Sequence, residues 1–270
     1  MHQIDMMIKK RHFSFLKCLF FCLWVSSAQA SEYCLSAEQQ LENVAEWGIT
    51  AKIIDGDTIH LQDRRKVRFI GINTPEIGRK GKASQPFAKQ AYRALVKLLK
   101  NNKKVGLSYD QDKKDRYKRL LAYVVLVDGQ SVEQALLAQG LAYSIVIPPN
   151  AKHIDCYRAI EEEARKSRLG VWQLPENQWI EAHKLSSKSK GYRFVSGMVS
   201  AYSESKKSIY LKLTPKLSIR IAKKDLPYFS TIDFKSLQGK KLRVRGWVSR
   251  YKGRQSIHVR TAYDIEYDEI

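Results

Sequence analysis

The segment ITAKIIDGDTIHLQDRRKVRFI, residues 49–70, decides the fold. It contains three short runs of β-branched and aromatic residues, at positions 49–54, 58–61 and 66–70. The turn-forming sequence DGD at 55–57 separates the first two runs, and a polar stretch separates the second from the third. Runs of this length with tight turns between them predict an antiparallel meander of three β-strands.

The residues beyond the meander complete a barrel pattern. Apolar side chains at helical spacing predict three amphipathic helices, at residues 84–100, 131–139 and 154–167. Two further strands, at 103–109 and 120–127, flank a highly charged loop. Five strands with three helices favour an α+β, OB-type five-stranded β-barrel over a parallel α/β sheet, which would need a regular alternation of strands and helices.

The C-terminal part of the chain has a different rhythm. A polar connection rich in Ser and Lys, residues 174–190, is followed by strand-like runs with a hairpin-like turn at Tyr251-Lys252-Gly253. The runs lie at residues 194–200, 209–213, 217–221, 242–248 and 256–260. The pattern predicts a barrel domain at 31–173, a linker, and a second small all-β OB-like domain at 191–270.

The first thirty residues predict export. A basic start precedes an apolar stretch, and Ala28-Gln29-Ala30 resembles the small-residue site that a signal peptidase cleaves. Residues 1–30 are therefore interpreted as a signal peptide, and the protein is expected to be secreted or periplasmic after cleavage near Ala30. The alternative is an uncleaved anchor, but about thirteen apolar residues are short for a bilayer core of ~30 Å. We expect no transmembrane span in the mature chain.

Charge and cysteine content narrow the class of protein further. The chain carries 48 Lys and Arg against 27 Asp and Glu, a formal charge of +21, and loss of the net +3 in residues 1–30 leaves +18. So basic a protein is attracted to polyanions, of which nucleic acid is the commonest; acidic cell-surface polymers and anionic lipids are the alternatives.

Cys34 and Cys156 remain after cleavage, and an even pair in an oxidising compartment predicts one disulfide; two free thiols are the alternative.

Four local strings carry the chemistry: IDGDT at 54–58, RFIGINTPE at 68–76, DRYKRLLAY at 115–123 and GVW at 170–172. Singly, each has an ordinary explanation as a turn, a helix start or a solvated charged loop. In this order and at these spacings they resemble the staphylococcal nuclease (thermonuclease) family, over about residues 47–173. The resemblance implies a nuclease site on an OB-type barrel.

The resemblance assigns the catalytic roles to Arg68, Glu76 and Arg119. These residue types suit the chemistry, because a phosphodiester is a stable anion. Its hydrolysis needs cations at the oxygens where charge accumulates and a base for the attacking water. An arginine offers two parallel N–H donors to phosphoryl oxygens, which a lysine cannot do. Glu76, which follows a rigid proline, is expected to be the base.

The resemblance also implies a metal site. Asp57, Asn73 and Thr74 are the expected ligands of Ca²⁺, or of another divalent cation, because oxygen donors suit hard ions. Asp55 is expected to help through a water. Asn73 stands where the family's best-known pattern has a second aspartate, and fewer ligand charges should weaken the site.

Arg116 and Tyr117 match positions that contact a terminal phosphate in the family, and a cation and a phenol both serve that purpose. Two other features depart from the family pattern. Lys118 replaces the glycine that usually precedes the second catalytic arginine. The family's aromatic residues are missing around Ile145 and Ile147, so the barrel sequence does not identify a base-stacking surface.

The C-terminal region adds cationic and aromatic residues that suit a nucleic-acid groove with stacking surfaces. They are Lys240, Lys241, Arg243, Arg245, Trp247, Arg250, Tyr251, Lys252, Arg254, Arg260 and Tyr263. The alternative is that Trp247 and alternate Val or Leu residues form a core while the basic residues only increase solubility.

Together these patterns predict a secreted, metal-dependent nuclease that hydrolyses DNA and/or RNA with low sequence specificity. The resemblance implies 3′-phosphate products. The alternative is a non-catalytic nucleic-acid- or polyanion-binding protein on the same fold. No stable protein partner is inferred.

Overall fold

A computed structural model describes residues 34–229 and 232–267 of the chain. The predicted signal peptide and its cleavage site lie outside these residues. Within the described part, no helix combines the length and apolarity that crossing a bilayer requires.

The N-terminal half forms the predicted closed five-stranded barrel. Its strands are β1 (Glu46–Ile53), β2 (Thr58–Leu61), β3 (Lys66–Phe69), β5 (Lys104–Ser108) and β6 (Leu120–Val125), and they close in the order β1-β2-β3-β6-β5. The first three form the predicted antiparallel meander, and β3 then pairs in parallel with β6. This parallel pairing places Arg68 opposite Leu121, so the motifs at 68–76 and 115–123 lie side by side.

Helices surround the barrel, and a short two-stranded ribbon, β4 (Ile72–Asn73) with β7 (Tyr143–Ser144), extends it. The helices are α1 (Ala37–Glu42), α2 (Ala88–Leu98), α3 (Val132–Ala138) and α4 (Ile154–Lys166). The predicted start of α2 at residue 84 is wrong, because the helix begins at Ala88. Ser84 instead accepts a hydrogen bond from the Gly78 amide at 3.1 Å, and Phe87 has a positive φ of 65°. The motif 74–76 therefore continues into a long loop that α2 follows.

Cys34 and Cys156 are joined by a disulfide, as the cysteine count predicted. The bond connects the segment before α1 to α4 across 122 residues of sequence. In the chain-entropy account, closing a loop of this length in the unfolded chain stabilises the fold by about 5 kcal/mol. The bond therefore fixes α4, which also carries the contacts between the two halves of the molecule.

Glu133 is a fully buried carboxyl group that connects α3 to the barrel. Its Oε1 accepts a hydrogen bond from the Val124 amide at 2.8 Å, and its Oε2 accepts one from the Ser131 hydroxyl at 3.1 Å. Burial raises the pKa of Glu133 to about 8. The folded protein therefore retains a proton that the unfolded chain releases as the pH rises above about 4.5.

We expect the free energy of unfolding to fall between about pH 4.5 and pH 8 through Glu133, by up to about 1.4 kcal/mol per pH unit. Glu133→Gln cannot ionise, so it should remove this part of the slope; its amide oxygen can still accept from Val124, and its amide nitrogen can donate to the Ser131 hydroxyl. Urea unfolding at pH 5, 6, 7 and 8 compares the two proteins. Parallel pH profiles for wild type and variant would contradict the expectation.

The C-terminal half is a second all-β unit, as predicted, with a hydrophobic core of its own. Its strands are β8 (Ile180–Glu181), β9 (Gly191–Met198), β10 (Ala201–Glu204), β11 (Ser208–Thr214), β12 (Leu217–Ala222), β13 (Lys241–Tyr251), β14 (Arg254–Val259) and β15 (Ile265–Tyr267). They form one sheet in the order β10-β11-β12-β14-β13-β9-β8, with β15 paired to β13. The sequence pattern missed β8, β10 and β15, which are too short to show a clear alternation.

The predicted hairpin between β13 and β14 is confirmed. Tyr251 pairs with Arg254, so Lys252 and Gly253 form a two-residue turn. Both residues have positive φ, 46° and 77°. A turn with positive φ at both central residues matches the right-handed twist of the flanking strands.

Buried charges connect the two halves. Arg245 on β13 contacts Glu161 on α4, and both side chains are almost completely buried. Arg245 also contacts Glu266 at 2.8 Å. Arg158 on α4 lies 3.2 Å from Asp264. Since isolated charges are costly to bury, the complementary pattern fixes the position of the C-terminal sheet against α4.

Candidate active site

A cleft of about 500 Å³ collects the predicted catalytic residues together with residues of the C-terminal sheet. The barrel contributes β3, β4, the charged loop after β5 and the segment after β7. The residues that line the cleft include Arg68, Asn73, Glu76, Asp115, Arg116, Tyr117, Arg119, Ile145, Ile147, Trp247 and Arg260. All three predicted catalytic residues and both predicted phosphate-binding residues therefore line one cleft.

Arg68 is held tightly by the surrounding chain. Its Nη1 donates to the carbonyls of Phe69 and Ile72, both at 3.0 Å, and its Nη2 donates to Asn73 Oδ1 at 3.0 Å. The same Nη2 lies 3.1 Å from Asp57 Oδ2. Within the described residues only Nε remains without a partner, so Arg68 does not offer its two-nitrogen fork to a ligand in this conformation.

Asp57 connects the turn after β1 to the loop after β4. Its Oδ2 accepts hydrogen bonds from the Thr74 amide at 2.7 Å and the Thr74 hydroxyl at 3.1 Å. Gly56 makes this approach possible, because a Cβ there would lie 2.9 Å from the Thr74 side chain and 2.8 Å from Ala91. The DGD turn is therefore constrained by close packing against the Thr-Pro-Glu segment as well as by turn geometry.

Asp55 lies beside Asp57 and is also buried. Burial, together with the negative charge of Asp57, raises the pKa of Asp55 to about 7. Arg79 is the nearest cation to Asp55, at 3.8 Å, and is itself well exposed. The two aspartates thus form an acidic pair that the neighbouring cations only partly compensate.

Glu76 lies at the edge of the cleft, and Gln85 holds its backbone. The Glu76 amide donates to Gln85 Oε1 at 2.9 Å, and the Glu76 carbonyl accepts from the Gln85 amide at 3.0 Å. Although the residue as a whole is exposed, partial desolvation of its carboxyl group and the charge of Asp57 raise the pKa of Glu76 above its usual value. Arg68 and Arg119 act in the opposite direction. A carboxylate with a raised pKa among cations suits a general base.

Arg119 differs from Arg68 in the freedom of its guanidinium group. Its Nε donates to Asp115 Oδ2 at 2.7 Å, and its side chain is 30% exposed. In the described part of the chain no group accepts a hydrogen bond from its two Nη atoms. Arg119 therefore presents a free pair of terminal donors to the cleft, held in place through Asp115.

The turn before Arg119 holds Lys118 in a backbone conformation that favours glycine. Lys118 has a positive φ of 62°, in the left-handed region that glycine adopts without strain. Asp115 stabilises the turn, because its Oδ1 accepts from the amides of Tyr117 at 2.8 Å and Arg119 at 3.0 Å. The replacement of glycine by lysine is thus accommodated, at some cost in backbone strain.

Arg116 and Tyr117 lie together at the surface of the cleft. Arg116 Nη2 donates to the Tyr117 hydroxyl at 2.7 Å, and the guanidinium lies 4.7 Å from the centre of the Tyr117 ring. Tyr117 is 65% exposed. A cation and a phenol at this exposure are accessible to a phosphate group.

Comparisons with known proteins agree with this geometry. A profile of the family described as "Staphylococcal nuclease homologue" matches residues 66–174. The chain is 39% identical over 129 residues to the thermonuclease of Staphylococcus intermedius, covering 46% of this chain and 75% of that protein. The chain belongs to the staphylococcal nuclease family.

Two Bacillus subtilis (strain 168) proteins are also similar to the nuclease-family part of the chain. Endonuclease YncB is 40% identical over 126 residues, which cover 45% of this chain and 59% of YncB. The SPbeta prophage-derived endonuclease YokF is 39% identical over 126 residues, which cover 45% of this chain and 42% of YokF. The chain thus spans about half the length of these two relatives.

In this staphylococcal nuclease homologue, the aspartates of the predicted metal site suit a hard divalent cation. Asp55 and Asp57 supply two adjacent carboxylates whose mutual repulsion a cation would relieve. Asn73 Oδ1 is bonded to Arg68. Across the described residues, no group of three or more His, Cys, Asp or Glu side chains is placed to hold a metal. The oxygen donors therefore fit the family's ion, although Asn73 Oδ1 already accepts a hydrogen bond from Arg68.

The C-terminal contribution to the cleft was missed from the sequence. Ile147, half-exposed, lines the cleft where the barrel lacks an aromatic residue, and Trp247 and Arg260 of the C-terminal sheet face the same space. Trp247 is 37% exposed, so it is not a core residue. The sequence did mark Trp247 and Arg260 as members of a basic, aromatic set, but nothing in it placed them beside the catalytic residues.

Proposed function

We propose that this protein is a metal-dependent nuclease that hydrolyses DNA and/or RNA phosphodiesters with low sequence specificity and leaves 3′-phosphate ends. The observation that carries the proposal is the meeting of Arg68, Glu76 and Arg119 in one cleft, on a barrel of the staphylococcal nuclease family. Low specificity follows from the composition of the barrel side of the cleft. Its cations and Tyr117 suit phosphate contacts, which carry no sequence information directly.

The chain's own residues account for the charge and proton movements of hydrolysis. Glu76 accepts a proton from the water whose oxygen attacks phosphorus. Arg119 donates its free Nη hydrogens to the non-bridging oxygens, where negative charge increases, and Arg68 adds positive charge beneath the same site. The bond from phosphorus to the 5′ oxygen breaks, and that oxygen takes up a proton from solvent to become the 5′-hydroxyl. The phosphate remains on the 3′ side.

The proposed cofactor is Ca²⁺, with another divalent cation as the alternative. Asp57, the Thr74 carbonyl and Asn73 would hold it, with Asp55 contributing through a water. A cation at this position supplies positive charge to the phosphoryl oxygens. The neutral Asn73 reduces the ligand charge, so we expect weaker binding than a site with a second aspartate would show.

The proposal extends to the location of the protein and to its division into domains. Residues 1–30 are proposed to direct export, and the disulfide between Cys34 and Cys156 supports an oxidising destination, either periplasmic or extracellular. We place the nuclease domain at 31–173 and the OB-like domain at 191–270, with 174–190 as a connection whose short strand β8 pairs with β9 of the OB-like domain. The substrate is nucleic acid, and no stable protein partner is proposed.

The test is cleavage of DNA and of RNA by purified mature protein in calcium, in magnesium and in chelator. We expect cleavage that requires the metal and products whose 3′ ends a phosphatase can dephosphorylate. Asp57→Asn removes a proposed ligand of the metal, so the cleavage rate in calcium should fall at least tenfold. Circular dichroism checks that the variant folds. Binding without cleavage under every metal condition would instead identify a non-catalytic nucleic-acid-binding protein.

A further inference from the structure

We propose that the outer face of the C-terminal sheet binds a single strand of nucleic acid and continues the candidate catalytic cleft. We call this surface the sheet groove and define it by Tyr210, Lys212, Arg220, Tyr251, Arg254 and His258, which line a depression of about 990 Å³. The identification of the strand as substrate rests on the proposed nuclease function. The binding surface itself rests on the strand register, the charge and the exposed rings of the sheet.

Strand register makes the sheet groove continuous with the cleft. Tyr210 on β11 lies opposite Arg220 on β12, Arg220 lies beside His258 on β14, and His258 lies opposite Trp247 on β13. Because neighbouring residues in register share a face, these four side chains form one row across the sheet. Trp247, in this row, also lines the catalytic cleft. A strand leaving the cleft past Trp247 therefore meets the sheet groove next.

The row lies on the face opposite to the C-terminal core. Leu211, Ile219, Ile257 and Val248 alternate with the groove residues along the same strands and are buried. The groove side chains are consequently not needed to fill the core. Their arrangement is free to serve a ligand.

The charge of the sheet groove suits a polyphosphate backbone. Five cations line it: Lys212, Lys216, Arg220, Lys252 and Arg254. Among the described residues none of them forms an ion pair with a carboxylate. Glu204 is the one acidic side chain of the lining, and it lies 2.7 Å from Lys223, which neutralises it. Uncompensated cations along a groove are the electrostatic pattern of nucleic-acid binding.

Aromatic rings in the sheet groove favour nucleic acid over other polyanions. Tyr251 is 74% exposed, and Tyr210 faces the same depression. Trp247, at the junction with the cleft, is partly exposed as well. Bases of an unpaired strand stack on exposed rings with little sequence preference, whereas heparin-like polymers and lipid headgroups have no flat rings to stack. The occupant we propose is therefore a single strand of DNA or RNA.

The test compares two charge-reversal variants of the full mature chain, made in a Glu76→Gln background so that the strand is not cleaved. One carries Lys212→Glu, Lys252→Glu and Arg254→Glu. The matched control carries Lys97→Glu, Lys100→Glu and Lys103→Glu, an equal charge change in exposed residues that line neither the cleft nor the sheet groove. Fluorescence anisotropy measures the affinity for a trinucleotide and for a strand of roughly 20 nucleotides, longer than the ~4–16 that one OB-fold covers.

We expect the groove variant to bind the long strand at least tenfold more weakly than the control, with trinucleotide affinity nearly unchanged. Losing three phosphate contacts should also reduce the slope of log affinity against log salt by about 2. Tyr251→Ala should weaken long-strand binding about fivefold or more through lost stacking. Equal long-strand affinities of the groove variant and the control would overturn the proposal.

A second outcome would overturn the choice of occupant. If charge reversal weakens binding but Tyr251→Ala does not, and heparin competes as well as the strand, the groove is a general polyanion surface. The same proteins with Glu76 restored separate this proposal from the nuclease proposal. Loss of binding in the groove variant without any cleavage by the wild type would support the groove and refute the nuclease. Cleavage by the wild type together with unaltered binding in the groove variant would support the nuclease and refute the groove.

Discussion

Arg119→Lys should reduce the rate of phosphodiester cleavage by on the order of 10²–10³-fold while leaving the stability of the protein nearly unchanged. The two Nη atoms of Arg119 face the cleft without a partner in the described chain, and only Nε is bonded, to Asp115. Lysine keeps the positive charge but cannot donate two parallel hydrogen bonds. The loss should therefore appear in kcat rather than in the folding equilibrium.

Arg68→Lys should lower both the cleavage rate and the stability. In the wild type, the Arg68 guanidinium group donates to Phe69, Ile72 and Asn73, and it lies against Asp57. A lysine cannot satisfy these acceptors together, so we expect a comparable loss of rate accompanied by a fall of about 2–4 kcal/mol in the free energy of unfolding.

Initial rates on a DNA strand and urea unfolding of both variants measure these two effects. Circular dichroism at the assay temperature confirms that each variant is folded. Wild-type activity in Arg119→Lys would remove Arg119 from the site. Unchanged stability in Arg68→Lys would show that the bonds around its guanidinium group are not structural.

Glu161→Gln should be the most destabilising single change between the two halves of the molecule. Glu161 is 1% exposed, and Arg245, which it contacts, is 3% exposed. Burial alone would raise the pKa of Glu161, but the charges of Arg245 and Arg158 hold it below its usual value. The neutral glutamine leaves Arg245 buried with much of its charge uncompensated, which costs about 3–5 kcal/mol.

Urea unfolding measures the loss, and a double variant supplies the control. Glu161→Gln combined with Arg245→Met removes both charges, so it should be more stable than Glu161→Gln alone. The carboxylate's stabilising contribution should be present at neutral pH and decline as the pH falls through the lowered pKa of Glu161. A single variant as stable as the wild type would contradict the buried ion pair.

The barrel could be predicted because its signals are local, and its cleft-lining residues could be predicted because four motifs together resemble a family pattern. Turn residues at 55–57 and 62–65 separate runs that are long enough to show β patterning, and the meander follows directly. The pairing of β3 with β6 then places the motifs at 68–76 and 115–123 beside each other. The start of α2 was wrong because Ser84, a good capping residue by type, is used by the preceding loop.

The features that the sequence did not reveal depend on contacts between distant residues. Arg68 was predicted as a free donor of two hydrogen bonds, but the carbonyls of the next turn, Asn73 and Asp57 occupy four of its N–H groups. The alternation along β13 gave no means of separating Arg245, which is buried against α4, from Trp247, which faces the cleft. The packing of the C-terminal sheet against the barrel domain decides which outward-facing side chains of β13 contact that domain. Such packing leaves no periodic signal in the sequence.

The central claim is that Glu76 accepts the proton of the attacking water in a cleft that also holds Arg68 and Arg119. The most direct measurement is the single-turnover rate of cleavage by wild type and by Glu76→Gln, in saturating calcium, as a function of pH. We expect the wild-type rate to fall as the pH decreases through the raised pKa of Glu76, since a protonated carboxyl cannot act as a base. The variant should be slower by about 10²–10⁴-fold and lack this acid limb. A variant that cleaves at the wild-type rate with the same pH profile would contradict the account.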